Sequence, residues 1–232
     1  MNRSPIRLRG VIAIDGPAGV GKSTVARLVA KQCGLLFVNT GDMYRALTWR
    51  ALKEGVDIKN KRAVVNFLSN RMNWDFHIHD GMLKVRVQHK DLGREIKSEK
   101  VSRATPTVAQ IPQVRRRLRR LQRSFALNGG VVLEGRDTTT HVAPEAGLKI
   151  FLDASAEERA KRRFHQLLTD GKRVKLTSIQ DAIRLRDYRE KKKKIMPARH
   201  GPGTITLDTT HLTLHEVADR IIQLYKKSGE QQ

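Results

Sequence analysis

The chain has 232 residues, 39% hydrophobic and 5% aromatic, with 46 Lys and Arg against 23 Asp and Glu for a formal charge of +23. That length suits one α/β domain carrying insertions, or two small domains, and no apolar run approaches the roughly 20 residues that span a bilayer. A single cysteine, Cys33, excludes an internal disulfide and a thiolate-rich metal site.

The basic stretch Met1–Arg9 leaves no room for a signal-peptide core ahead of the first apolar run, so a cytoplasmic protein is expected. The charge surplus has two readings, a solvated basic surface or attraction to nucleic acid or another polyanion, and composition leaves them even.

Val11-Ile12-Ala13-Ile14 reads as a buried strand. Gly16-Pro17-Ala18-Gly19-Val20-Gly21-Lys22-Ser23 then satisfies G-x-x-x-x-G-K-[ST], the phosphate-binding loop, with Thr24 after it. Backbone N–H groups must converge on a polyphosphate, so glycines remove the Cβ that would stand in the way. A helix opening at Lys22 aims its positive end at the anion. Lys22 reaches the β- and γ-phosphates, and the Ser23 hydroxyl can hold Mg²⁺. A glycine-rich turn that binds nothing is the bland alternative, and the flanking strand and helix argue against it.

The first helix runs from about Lys22 to Gln32 with Gly34 as C-cap. Leu35–Val38 reads as a second strand, and a helix from Met43 to Glu54 stops at Gly55. Strand, helix and strand within about thirty residues imply a parallel sheet. After a helix over Lys59–Leu68, Met72–Ile78 and Leu83–Val87 alternate around the hairpin signal Asp80-Gly81. His77, His79 and His89 lack metal-ligand spacing and read as surface residues.

Following Pro112, Val114, Leu118, Leu121 and Phe125 share one helix face, and Arg115, Arg116, Arg117, Arg119, Arg120 and Arg123 cover most of the rest. A solvated face accounts for most of these arginines, leaving one or two for a site. Val131–Leu133 is a strand ending in Glu134-Gly135-Arg136-Asp137, where open α/β sheets form their ligand crevice. Leu148–Asp153 repeats the arrangement, and Ser155 with Glu158 reads as a capping box. A helix starting near Ser178 carries Arg184, Arg186, Asp187, Arg189 and Glu190. Ile205–Asp208 and Leu214–Tyr225 close the chain as strand and helix.

With these motifs located, above all Thr40-Gly41-Asp42-Met43-Tyr44-Arg45, Glu134-Gly135-Arg136-Asp137 and Arg186-Asp187, the chain resembles the bacterial-type cytidylate kinases along nearly its whole length. The resemblance implies a three-layer α/β P-loop fold on a five-stranded parallel sheet. Its core would take residues 9–56 and 111–232, a small antiparallel acceptor-binding insert 57–110, and a short helical lid 161–194. It implies phosphoryl transfer from ATP with Mg²⁺ to CMP or dCMP, by a monomer. Gly16 to Thr24 would bind ATP. Thr40, Tyr44 and Arg45 would sit at the acceptor, Arg115 at the base, and Arg136 with Asp137 at the acceptor phosphate. Arg186 and Arg189 would close over the reacting phosphates, with Lys22 and Arg136 completing the catalytic set.

Four positions depart from the family pattern. Glu190 stands for an Asp at the ribose, Lys193 for an Arg at the base, Pro106 for a Ser near the base, and Thr138-Thr139-Thr140 for a small, glycine-containing segment. These changes imply relaxed base selectivity. A second class of function, a nucleic-acid-binding scaffold with little turnover, rests on the +23 charge and these departures.

Overall fold

Every side chain from Val11 to Ile14 is fully buried, because β1 (Leu8–Asp15) runs between two other strands with helices over both faces. Alternation along it splits the core. Val11 and Ala13 belong to one apolar cluster, Ile12 and Ile14 to another on the opposite face. The computed structural model describes residues 8–87, 90–169, 171, 173–192 and 200–230.

α1 (Lys22–Cys33) follows β1 and ends at Gly34, whose left-handed conformation returns an N–H to Ala30 O. β2 (Leu36–Asn39) leads directly into α2 (Thr40–Lys53), where the Asn39 side chain accepts from Asp42 N. α3 (Lys61–Asn70), β3 (Asp75–His79) and β4 (Met82–Val87) come next. Asp80 and Gly81 both have positive φ, 49° and 66°, the type I′ hairpin that the dipeptide announces.

A two-residue β5 (Lys90–Asp91) and a 3₁₀ turn at Glu95–Lys97 precede α4 (Glu99–Val108) and α5 (Pro112–Leu127). β6 (Val131–Glu134), a π-helical turn at Thr138–Val142 and β7 (Ala146–Asp153) follow. The chain closes with α6 (Ala156–Thr169), α7 (Leu176–Lys192), β8 (Ile205–Asp208) and α8 (Leu214–Glu230).

The five expected parallel strands are present in the order β2-β6-β1-β7-β8. The hairpin does not stand apart as its own small sheet. β4 pairs parallel to β2 through Phe37 and Met82, so β3, β4 and β5 extend the central sheet. One apolar cluster packs residues of α2, α3 and α5 on one face, the other α1 and α8 on the second face, giving the three layers. α6 and α7 share a small separate cluster built on Ala160, Ile179 and Ile183.

Two local expectations change. Ser155 caps α6 by accepting from Glu158 N, but the Glu158 carboxylate turns to Arg162 instead of completing the box. The reciprocal box forms at Thr213 and Glu216, at the start of α8. His77 is half-buried and pairs with Asp91 at 3.3 Å, whereas His79 is exposed. His89 lies outside the described residues.

Candidate active site

The loop from Gly16 to Gly21 joins β1 to α1, with φ of 81° at Gly19 and 93° at Gly21. A Cβ on Gly16 would run into the backbone oxygen of Leu152, so close approach selects glycine there, while at Gly21, where a Cβ would meet only a Leu214 methyl that can move, the positive φ selects it. No side chain caps α1, which leaves its first N–H groups for an anion. Lys22 is buried, and its Nζ donates to Pro17 O at 2.8 Å, folded back over the loop. Ala18 O and Val20 O accept from Arg159 and Arg162 of α6, which pins the loop from outside. Thr24 is exposed on the first turn of α1.

At the far side of the loop, Ser23 Oγ donates to Glu134 Oε2 at 2.9 Å, and Thr40 Oγ1 donates to Glu134 O at 2.8 Å. Burial pushes the Glu134 carboxyl up, against the lowering effects of Lys22, the Ser23 hydrogen bond and Arg136. Burial also raises Asp42, which in turn raises Glu134. Hydroxyl and carboxylate oxygens therefore converge beside the phosphate loop, a hard-oxygen donor set that fits Mg²⁺, an ion that keeps several waters and few protein ligands. Among the described residues no group of three or more His, Cys, Asp or Glu gathers for a metal.

The sequence-predicted acceptor residues meet on α2, α5 and the segment after β6. Tyr44 is buried with its hydroxyl oxygen unpartnered, and burial, with Asp137 nearby, pushes its pKa up to about 12. Arg45 donates to Ser102 Oγ at 2.8 Å and Ile96 O at 3.4 Å, fastening the insert to α2. Burial lowers its pKa, with Asp42 and Glu134 opposing and Arg186 and Arg163 adding to the effect. Arg115 donates to Asp137 Oδ2 at 2.6 Å, and Arg119 donates to the same oxygen through Nε at 2.8 Å and a second nitrogen at 2.5 Å. Arg136 donates to Gly16 O and so touches the phosphate loop directly. Thr40, by contrast, is spent on the Glu134 backbone.

On α6, Arg159 is buried and makes a bidentate pair with Asp187 of α7 at 3.1 and 2.7 Å. Arg186, beside Asp187, is exposed on α7. Arg189 and Glu190 continue that helix, and Lys193 lies outside the described residues. Pro106 is exposed within α4, its carbonyl accepting from Gln110.

The cytidylate kinase family model matches residues 12–227. The chain belongs to the cytidylate kinase family. A relative from Synechococcus sp. (strain JA-2-3B'a(2-13)), a bifunctional pantoate ligase/cytidylate kinase, is 43% identical over 229 residues, covering 97% of this chain and 42% of that protein. The chain thus spans less than half of that two-part relative. It matches a cytidylate kinase from Bacillus licheniformis nearly end to end, 40% identical over 94% of this chain and 97% of the relative. A solved structure, an uncharacterized protein from Eubacterium ventriosum, aligns with a TM-score of 0.50 and 13% identity over 94% of this chain and 99% of that one, which supports the fold alone.

For this cytidylate kinase family member, sequence reasoning passed over Arg119, Arg159, Asp15 and the pairing of Glu134 with Ser23. Glu134 carried a usable signal, a carboxylate at the C-terminal end of a central strand. Arg119 carried none, since it is one of six arginines on a single helix. A shallow cleft of about 480 Å³ runs along that helix, lined by Pro112, His141 and five of its arginines. Arg116 and Arg120 are exposed there without an ion pair among the described residues.

Proposed function

We propose that the chain transfers the γ-phosphoryl group of ATP to CMP or dCMP in the cytoplasm. One observation supports the reading above the others: consecutive residues serve both sides of such a reaction. Arg136 bonds to Gly16 O of the phosphate loop, while Asp137 is gripped by Arg115 and Arg119 of α5. A donor phosphate chain and an acceptor nucleotide would meet across that step, with Tyr44 and Arg45 lining the acceptor side. Phosphoryl transfer asks mainly for positioning and charge neutralisation, which this set of guanidiniums and N–H groups supplies. Ser23 and Glu134 would hold Mg²⁺, which when bound neutralises charge between the β- and γ-phosphates. Nothing in the relatives supports the second reading, a nucleic-acid-binding scaffold without turnover.

A coupled assay with ATP-Mg²⁺ against CMP, dCMP, UMP and AMP tests this. CMP and dCMP should be phosphorylated at ordinary kinase rates. With Pro106 and Lys193 in place of a hydroxyl and a bidentate donor, UMP should follow within about 100-fold, the selectivity left when polar contacts that reject the wrong base are missing. Absence of transfer to any pyrimidine monophosphate would sink the assignment.

The insert, residues 57–110, and the lid, residues 161–194, would close on the site when both nucleotides bind, excluding water that otherwise hydrolyses ATP. Arg45 supports the first movement by holding Ser102 and Ile96 O, and Arg159–Asp187 the second by tying the lid helices to Ala18 O. Amide hydrogen exchange should slow in both segments with the two nucleotides together; unchanged protection in either would remove that segment from closure.

A further inference from the structure

Asp15 is the last residue of β1, 2% exposed, and its carboxylate accepts four hydrogen bonds from two neighbouring residues. Thr138 N and Oγ1 reach Oδ1 at 2.9 and 2.7 Å. Thr139 N and Oγ1 reach Oδ2 at 2.8 and 2.7 Å. Both threonines are buried, at 0% and 1% exposure. A carboxylate taken out of water needs its oxygens satisfied, and fixed backbone and hydroxyl donors do so in one geometry only.

The neighbours of this clamp give it its meaning. The residue after Asp15 is Gly16, whose carbonyl accepts from Arg136. The residue before Thr138 is Asp137, turned the other way onto Arg115 and Arg119. On the remaining side Gly201 is buried and abuts Thr139 O so closely that no Cβ would fit, where the chain returns from α7 toward β8. Residues 136 to 139 therefore touch the root of the phosphate loop, the α5 arginines and the return from the lid within four positions.

We propose that Thr138 and Thr139 are positioning residues for phosphoryl transfer. By clamping Asp15 they set the distance between the phosphate loop and the Arg136–Asp137 step, and so between donor and acceptor phosphates. The inference rests on the kinase reading above. Neither threonine touches a reacting group. Each acts through Asp15, and the effect falls on in-line alignment, to which transfer is steeply sensitive.

The test compares Thr138→Val, Thr139→Val and the double variant, each close to isosteric and retaining the backbone donors, with Thr138→Ser/Thr139→Ser, which keeps both hydroxyls. The double valine variant should lose about tenfold in kcat while KM for ATP and for CMP changes less than threefold, and the single variants should fall between. The share of ATP hydrolysed without transfer should rise, because a misaligned acceptor leaves water a better competitor. The double serine variant should restore both readouts. A folded double valine variant with wild-type kcat and wild-type partition would overturn the proposal and leave the clamp a purely structural feature. A rise in KM for ATP at unchanged kcat would overturn it too, showing that the clamp shapes the phosphate loop alone. If the double variant does not fold, the single variants are held to the same two criteria. A wild-type protein inactive on every nucleotide tested would instead count against the kinase reading itself.

Discussion

Lys22→Ala should lower kcat by about 10²- to 10³-fold, the usual loss when one preorganised group facing developing charge is removed, in a protein that still folds. Lys22 is buried, yet it belongs to neither apolar cluster, and its Nζ bonds to Pro17 O within the same loop. A bound polyphosphate would take the ammonium in place of Pro17 O, and the alanine variant also gives up the attraction by which Lys22 opposes the burial of the Glu134 carboxyl. Alanine keeps the helix propensity that the first residue of α1 needs. Lys22→Arg should rescue poorly, because a planar fork cannot occupy the position of a compact point charge beside Gly21. Near-normal turnover in Lys22→Ala, measured at saturating ATP and CMP, would remove the phosphate loop from the mechanism.

How far the fold could be read in advance depended on how local each signal was. The four buried residues of β1, the glycines around Lys22 and the Asp80-Gly81 turn each state their conformation within a few positions, and each forms as expected. The pairing of β4 with β2 rests on Phe37 and Met82, far apart in sequence, so no periodicity signals it. α4 had no reading in the sequence, and Pro106 lies within it, in its last turn, where proline has no N–H to donate back along the helix.

Side-chain competition hid the rest. Ser155 and Glu158 have capping-box spacing, but Arg162 one turn on offers the Glu158 carboxylate a charged partner. On α5, the pattern of apolar residues fixes which face is core without telling one arginine from another. Arg115, Arg119 and Arg123 form an i, i+4, i+8 stripe that finds Asp137 and Glu145, while Arg116, Arg117 and Arg120 face outward. The carboxylates that make this division lie after β6, and only the folded chain brings them alongside.

Arg45 and Arg136 should separate when each is replaced by alanine. Arg45 bonds to Ser102 and Ile96 O, both in the insert, and to nothing in the phosphate loop. Its loss should raise KM for CMP by about 30-fold or more, the scale of one charge-assisted bond to phosphate, with KM for ATP within about threefold. Arg136 bonds to Gly16 O and precedes Asp137, so on the proposed reading it would stand where donor and acceptor meet. Arg136→Ala should therefore cut kcat by about 10³-fold, in the range for a guanidinium that neutralises transferring phosphoryl charge. Arg136→Lys should recover little, since one ammonium cannot hold the Gly16 carbonyl and a phosphate oxygen in the same fork. Equal effects of Arg45→Ala on both nucleotides would place Arg45 outside the acceptor pocket. A kcat preserved in Arg136→Ala, with only KM for CMP raised, would make Arg136 a binding group for the acceptor and leave the transferring phosphoryl group to Lys22 and the lid.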